Sequence, residues 1–292
     1  MVAKHGKTEE YGEINNYSPA DLFDRIRLSQ PEKFSMKKIP GQVSDKADCA
    51  AIILAGGLGR RLNDGSKNHK NISKQLLKMS GKPVLTWSMD SFDAVPEIGA
   101  IVVVCPEKDF EEYIEKVVDP FAFQTPIVMA PAGDSRQESA FNGLDMVPDK
   151  FDYVMIHDGA RPLVPPTVIK HIYSVLKGNP ELDGAVCAHP CIDTLKVVED
   201  KKIVGTPDRN AFWLAQTPQI FKRKIYTEAH KSALSDGFIA TDDASLIERI
   251  GGNVRVVEGK RNNIKLTVPE DYLILASVLQ ALNLEHGSEY DL

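Results

Sequence analysis

Short apolar runs alternate through most of this chain with longer stretches in which hydrophobic positions recur every three or four residues. The runs Cys49–Leu54, Ala100–Cys105, Pro126–Ala130, Tyr153–His157 and Gly184–His189 predict strands. Between them, amphipathic stretches near Val84–Asp93, Lys108–Val117, Ser135–Val147 and Pro166–Leu176 predict helices. Strand and helix in strict alternation argue for βαβ units, hence an α/β fold with a mainly parallel sheet and helices on both faces. Further along, helices are expected near Lys222–Ser235, Asp242–Ile250 and Glu270–Leu282, with a strand at Val254–Glu258. Thr194–Gly205 breaks the rhythm. There Leu195–Val198 and Lys202–Val204 flank Glu199-Asp200-Lys201, which predicts a β-arm projecting from the sheet near 190–211. Trp87, Trp213 and the phenylalanines fall in apolar patterns and are expected in the core.

Residues 1–48 read differently. Ser18 followed by Pro19 is an N-cap and first helical position for one short helix, and Gly41–Asp48 is mostly polar. The expected organisation is a partly helical or disordered extension over 1–48 and one folded unit over 49–292.

The composition narrows the functional classes. Lysine and arginine number 35 against 41 aspartate and glutamate, a net charge of −6. That balance gives no global field for gripping nucleic acid, so any phosphate must be held by a few local cations. No apolar run approaches the roughly 18 residues of a membrane span. The polar N-terminus, with Glu9, Glu10 and Glu13, lacks the apolar core of a signal peptide. Four cysteines in 292 residues make no disulfide framework, and a reduced, cytoplasmic setting follows. Cys187, His189 and Cys191 alternate along one strand, but Pro190 interrupts them and ordinary packing is expected.

The most informative segment is Leu54-Ala55-Gly56-Gly57-Leu58-Gly59-Arg60-Arg61. An apolar strand ends in glycines whose amides can approach an anion closely, followed at once by arginines with a donor fork suited to phosphate. Two commoner phosphate loops fail here. A dinucleotide fingerprint needs glycine where Leu62 stands, and no Gly-x4-Gly-Lys-Ser/Thr occurs. Lys74-Gln75 follows in a polar loop.

With these residues the chain resembles the 2-C-methyl-D-erythritol 4-phosphate cytidylyltransferase family and the related polyol-phosphate cytidylyltransferases. Further matching motifs follow in order: Ala132–Ser139, His157–Pro162, Asp193–Lys196, Asp208–Asn210, Gln216–Gln219, Thr241–Ser245 and Asn263–Thr267. The resemblance spans about residues 50–280 and implies a Rossmann-like fold. It also implies transfer of CMP from CTP to a sugar phosphate with release of pyrophosphate, in non-mevalonate isoprenoid synthesis. Ribitol 5-phosphate or another polyol phosphate, for cell-surface polymers, is the alternative acceptor.

The resemblance further implies site residues. Arg61 and Lys74 would stabilise charge on the α-phosphorus and the leaving pyrophosphate, and Arg209 and Lys265 would orient the attacking phosphate. Ala55, Gly56, Gly57, Gly59, Gly133, Asp134 and Ser139 would hold CTP. Asp158, Arg161, Thr194, Thr217 and Thr241 would face the acceptor, with Asp158 also a candidate ligand for Mg²⁺. A homodimer through the arm is implied, each arm completing the partner's site. Ser135 reads instead as a helix cap. Two departures stand out: a longer loop before Lys74, and Ser73 where many relatives have proline, which predicts a more mobile Lys74.

Overall fold

The computed structural model describes residues 47–57 and 73–285. The helix expected after Ser18, and Gly59 and Arg61, lie outside these residues.

Strand β1 (Cys49–Leu54) enters the fold first, and two short strands, β2 (Lys78–Met79) and β3 (Lys82–Pro83), lead into helix α1 (Val84–Asp93). Then come β4 (Ile98–Cys105), a short helix α2 (Phe110–Tyr113), β5 (Ile127–Pro131), α3 (Arg136–Asp145), β6 (Tyr153–Asp158), α4 (Pro166–Lys177) and β7 (Gly184–Pro190). The arm is the hairpin β8 (Val197–Glu199) and β9 (Lys202–Gly205). Its turn residues Asp200 and Lys201 have φ of 46° and 65°, the double positive φ of a type I′ hairpin turn. The chain ends with β10 (Trp213–Lys222), α5 (Arg223–Asp236), α6 (Asp243–Arg249), β11 (Val254–Glu258) and α7 (Pro269–Glu285).

Seven strands form one sheet in the order β11-β7-β10-β6-β1-β4-β5. All neighbours pair in parallel except β10, which runs antiparallel between β6 and β7. Along β1, Cys49, Ala51 and Ile53 pack into one core layer and Ala50, Ile52 and Leu54 into the other. Alternate side chains of a strand point to opposite faces, so burial on both faces gives the continuous apolar run seen in the sequence. On one side Leu85, Met89 and Phe92 of α1 meet Ile169 and Ile172 of α4; on the other Ala140 and Leu144 of α3 meet Tyr226 and Ala229 of α5. Each fully buried Val, Leu or Ile contributes about 1.5–3 kcal/mol.

Strand β10 was not expected, because Pro218 lies in its middle and proline cannot donate to a sheet ladder. Here Pro218 falls in an irregularity of register between Ala215 and Gln219, one of the few places within a sheet that accepts it. Trp213 corrects a second expectation: it is 42% exposed, beside exposed Phe212 and Leu214 at the base of the arm. The helix expected over Lys108–Val117 is broken into a 3-10 turn, α2 and a π turn at Ile114–Val118 that keeps Ile114, Val117 and Val118 buried.

Candidate active site

The chain order reverses direction across the sheet at β1: β4 and β5 lie to one side and β6 to the other. In open α/β sheets ligands bind beyond the carboxyl ends of the strands at such a point. Leu54 and Asp158 end β1 and β6 in register, so the glycine turn and Asp158 face the same crevice. The Ala55 amide donates to Val104 O at 2.7 Å, and Gly159 N to Leu54 O at 2.9 Å, which fix the two strand ends. Gly56 has no room for a side chain, since an added Cβ would stand 2.4 Å from the Ala132 Cβ. The glycine turn therefore lies directly against the end of β5.

The second turn, Ala132–Ser135, leads into α3. Ser135 accepts the Glu138 amide at 3.0 Å as N-cap. The Glu138 carboxylate in turn accepts the Asp134 amide at 2.8 Å. Ser139 accepts the Gly133 amide at 3.0 Å and donates to Ser135 O at 2.8 Å, so its hydroxyl shapes this turn from below. The side chain of Asp134 is exposed.

Asp158 is the electrostatic centre. Lys265 Nζ lies 2.7 Å from Oδ2, Arg161 Nε 3.7 Å from Oδ2, and Arg136 Nε 3.5 Å from Oδ1. Burial alone would push this carboxyl up; Lys265, then Arg136 and Arg161, outweigh it and hold it well below the usual carboxylate range. Behind it, His157 is fully buried, and burial lowers its imidazole to about 4. A neutral ring has one N–H. Nε2 lies 3.1 Å from Arg161 O, which can only accept, so Nε2 donates there and Nδ1 accepts from the Thr217 hydroxyl at 3.1 Å. Thr217 also accepts the Asp158 amide at 2.9 Å. Its one proton is thus spent on His157, and the hydroxyl holds the end of β6.

Lys74 opens a 3-10 turn, Lys74–Leu76, and its ammonium donates to Leu266 O at 2.8 Å. The 263–266 segment is itself pinned: Leu266 N donates to Ala160 O at 2.8 Å and Arg161 Nη1 to Asn263 O at 2.7 Å. Leu266 is buried with Leu275 and Leu279 of α7 and with Met79 and Val84, so α7 clamps this segment onto the Lys74 turn. Ser73, expected to loosen Lys74, is bonded instead: its hydroxyl donates to Gln75 Oε1 at 2.6 Å and meets the Tyr113 hydroxyl at 2.8 Å.

The fold thus gathers Lys74, Lys265, Asp158, Arg161 and Thr217 with Ala55, Gly56, Gly57, Gly133 and Ser139. Among the described residues, Arg209, Thr194 and Thr241 make no hydrogen bond or ion pair with this set, although Asp243, two positions past Thr241, reaches Arg136. Arg209 is exposed beside the arm and donates to Ile192 O. Thr194 is exposed before the arm, and Thr241 is exposed one residue ahead of Asp242, the N-cap of α6. Arg136 went unnoticed in the sequence. Its Nη2 donates to Asp243 at 2.7 Å, which also accepts the Tyr226 phenol at 2.7 Å, so Arg136 joins a buried carboxylate to Asp158. The signal was an arginine in the first turn of a helix, where the dipole disfavours a cation unless anions face it. Among the described residues, no group of three or more His, Cys, Asp or Glu side chains is arranged to hold a metal ion, and no helix is long and apolar enough to cross a membrane.

Comparison with known proteins agrees with this architecture. The family described as 2-C-methyl-D-erythritol 4-phosphate cytidylyltransferase (IspD) matches residues 49–281. The 2-C-methyl-D-erythritol 4-phosphate cytidylyltransferase of Geotalea uraniireducens is 40% identical over 237 residues, covering 80% of this chain and 98% of that one. The protein of the same name from Caldanaerobacter subterraneus subsp. tengcongensis is 39% identical, covering 77% and 96%. The crystal structure of 4-diphosphocytidyl-2C-methyl-D-erythritol synthase from Anaerococcus prevotii superposes with a TM-score of 0.69 at 27% identity, covering 81% of this chain and all of that one. With its glycine turn, its cation-ringed Asp158 and a family match over most of its length, the chain belongs to the 2-C-methyl-D-erythritol 4-phosphate cytidylyltransferase family.

Proposed function

We propose that this protein transfers the cytidylyl group of CTP to 2-C-methyl-D-erythritol 4-phosphate, releasing pyrophosphate, in non-mevalonate isoprenoid precursor synthesis. The relatives' names favour this acceptor over ribitol 5-phosphate. The observation that carries the mechanism is the set of cations around Asp158 at the sheet's switch point, beside the glycine turn. A phosphate monoester, with its second pKa near 6, is already largely a dianion at neutral pH, so its oxygen attacks the α-phosphorus without a general base. The bond from that phosphorus to the oxygen bridging to the β-phosphate breaks, and pyrophosphate departs. His157, buried and neutral with both nitrogens engaged, is consistent with a reaction that asks for no base.

The chain supplies position and charge. The amides of Ala55, Gly56, Gly57 and Gly59 and the cations Arg61 and Lys74 would receive the triphosphate. Gly133 and Asp134 would meet the base and ribose, with Ser139 shaping their turn. Lys265 and Arg161 would face the acceptor phosphate, and Thr217 would act by holding Asp158. Arg209 and Thr194, beside the arm, would complete the acceptor pocket in a homodimer whose exposed apolar arm packs on the partner, and Thr241 would offer its hydroxyl from ahead of α6.

Asp158 is ionised, and among the described residues its Oδ1 has only the long Arg136 contact, so its donor chemistry fits Mg²⁺. That ion takes one or two carboxylates plus substrate phosphates at such sites. When bound it would neutralise charge on the triphosphate. The setting is cytoplasmic, in keeping with four free, buried cysteines. Pyrophosphate release with CTP, Mg²⁺ and each acceptor tests the reading: a large preference for 2-C-methyl-D-erythritol 4-phosphate is expected, and a preference for ribitol 5-phosphate would defeat it. Lys74→Ala should lower turnover on the order of 10²-fold with the fold intact.

A further inference from the structure

Behind the glycine turn lies a contact chain that no role above uses. Tyr113, in α2, is almost wholly buried among core residues, yet its hydroxyl leaves the core and donates to Ala55 O at 3.1 Å. The same hydroxyl stands 2.8 Å from Ser73 Oγ, and Ser73 donates to Gln75 Oε1 at 2.6 Å. Two hydroxyl protons serve these three contacts. The phenol's goes to Ala55, because a carbonyl can only accept, and the serine's is shared between the phenol oxygen and Gln75. Burial pushes the Tyr113 phenol far up, so that proton stays in place across the physiological range. Gln75 is buried as well, and its amide nitrogen lies 3.8 Å from where a Cβ on Gly57 would stand.

We propose that Ser73 and Tyr113 are positioning residues for the transfer reaction. Their hydroxyls tie the turn that carries Lys74 to the backbone of the glycine turn, fixing the ammonium against the amides that receive the triphosphate. The proposal rests on the functional reading above. Two turns far apart in sequence must hold one geometry, and a displacement near 1 Å at a reacting centre costs about 10²-fold in rate. The phenol ring and Ala55 share one core layer, and the phenol oxygen adds to that packing a directional bond on the Ala55 carbonyl. The Leu266 carbonyl holds Lys74 at the tip of its side chain, while the relay holds it at the backbone.

Steady-state kinetics on the full-length chain test this, with CTP, 2-C-methyl-D-erythritol 4-phosphate and Mg²⁺. Tyr113→Phe and Ser73→Ala should each lower kcat about tenfold, leave the KM for the acceptor within about twofold, and retain the cooperative unfolding transition. Ser73→Thr, which restores the hydroxyl, should recover most of the turnover. In a Lys74→Ala background Tyr113→Phe should cost nothing more, because the residue acts through Lys74. Wild-type turnover with unchanged kcat in both variants would overturn the positioning role and leave the functional reading standing. So would equal losses with and without Lys74. No wild-type turnover would overturn both.

Discussion

Arg136 begins α3 at the end where the backbone dipole is positive, and a cation there is normally unfavourable by about 0.3–1 kcal/mol. Two carboxylates offset this, Asp243 at 2.7 Å and Asp158 at 3.5 Å, and Asp243 is 1% exposed. Removing one partner of a buried pair strands the other, at about 3–5 kcal/mol when both are buried. The Arg136 side chain keeps partial solvent contact, so Arg136→Met should lower unfolding stability by about 2 kcal/mol in denaturant titration. Turnover should fall with it, because Asp158 loses one of its three cations among the described residues. His157 and His230 give a second prediction. Burial lowers each from an ordinary 6.5 to about 4. The unfolded chain therefore takes up these protons below pH 6.5 while the folded chain does not until about pH 4. The unfolded state binds more protons in that window, so stability is lost as pH falls from 6.5 toward 4. Melting temperatures measured between pH 7 and 5 should decline, and His230→Gln should flatten the decline while leaving the share due to His157. Lys74, Asp158 and Lys265 were legible in the sequence because a motif names them. Arg136 and Tyr113 were not, since their roles arise only when α3 and α2 are placed against β6 and β1.

At the scale of elements, parallel strands were the easiest to see. Burial on both faces writes a run of Ala, Ile and Leu such as Ala51–Ala55 into the chain. Strand β10 left no such mark, for Gln216, Thr217 and Pro218 interrupt it, and its polar centre is what places Thr217 under Asp158. The arm was legible from its charged turn between Val/Ile pairs, although its apolar residues do not pack on their own domain. Ile203 is 64% exposed and Val198 53%. Exposed β-branched residues on both strands of a two-stranded ribbon are an aggregation hazard unless another surface covers them. The proposed homodimer covers them and carries Arg209 toward the partner's site. Val198→Asp with Ile203→Asp should convert a dimer to a monomer in sedimentation equilibrium. It should also reduce turnover at subsaturating acceptor more than at saturation. A monomeric wild type with full activity would contradict the arm's role.

For the molecule as a whole, the switch point at β1 explains why the candidate site residues from positions 55 to 265 meet although no single segment carries them. Strand ends on either side of the reversal open a crevice, and α7 closes one wall of it by burying Leu275 and Leu279 against Leu266. The same view predicts where a truncation at the N-terminal side of β1 is tolerated. Asp48 belongs structurally to the folded unit: its carboxylate accepts the Tyr173 phenol at 2.6 Å and pairs with Lys177, and its carbonyl accepts the Asp152 and Tyr153 amides. These bonds dock the start of β1 on β6 and α4. Ala47 also packs near Gly99 at the foot of β4. A chain beginning at residue 47 keeps all of them, whereas one beginning at Cys49 removes the acceptors of the Tyr173 phenol and of the Asp152 and Tyr153 amides. The first truncation should therefore keep the full-length melting temperature and turnover, and the second should melt several degrees lower. Loss of turnover in the first, with its melting temperature unchanged, would instead give residues 1–46 a part in catalysis.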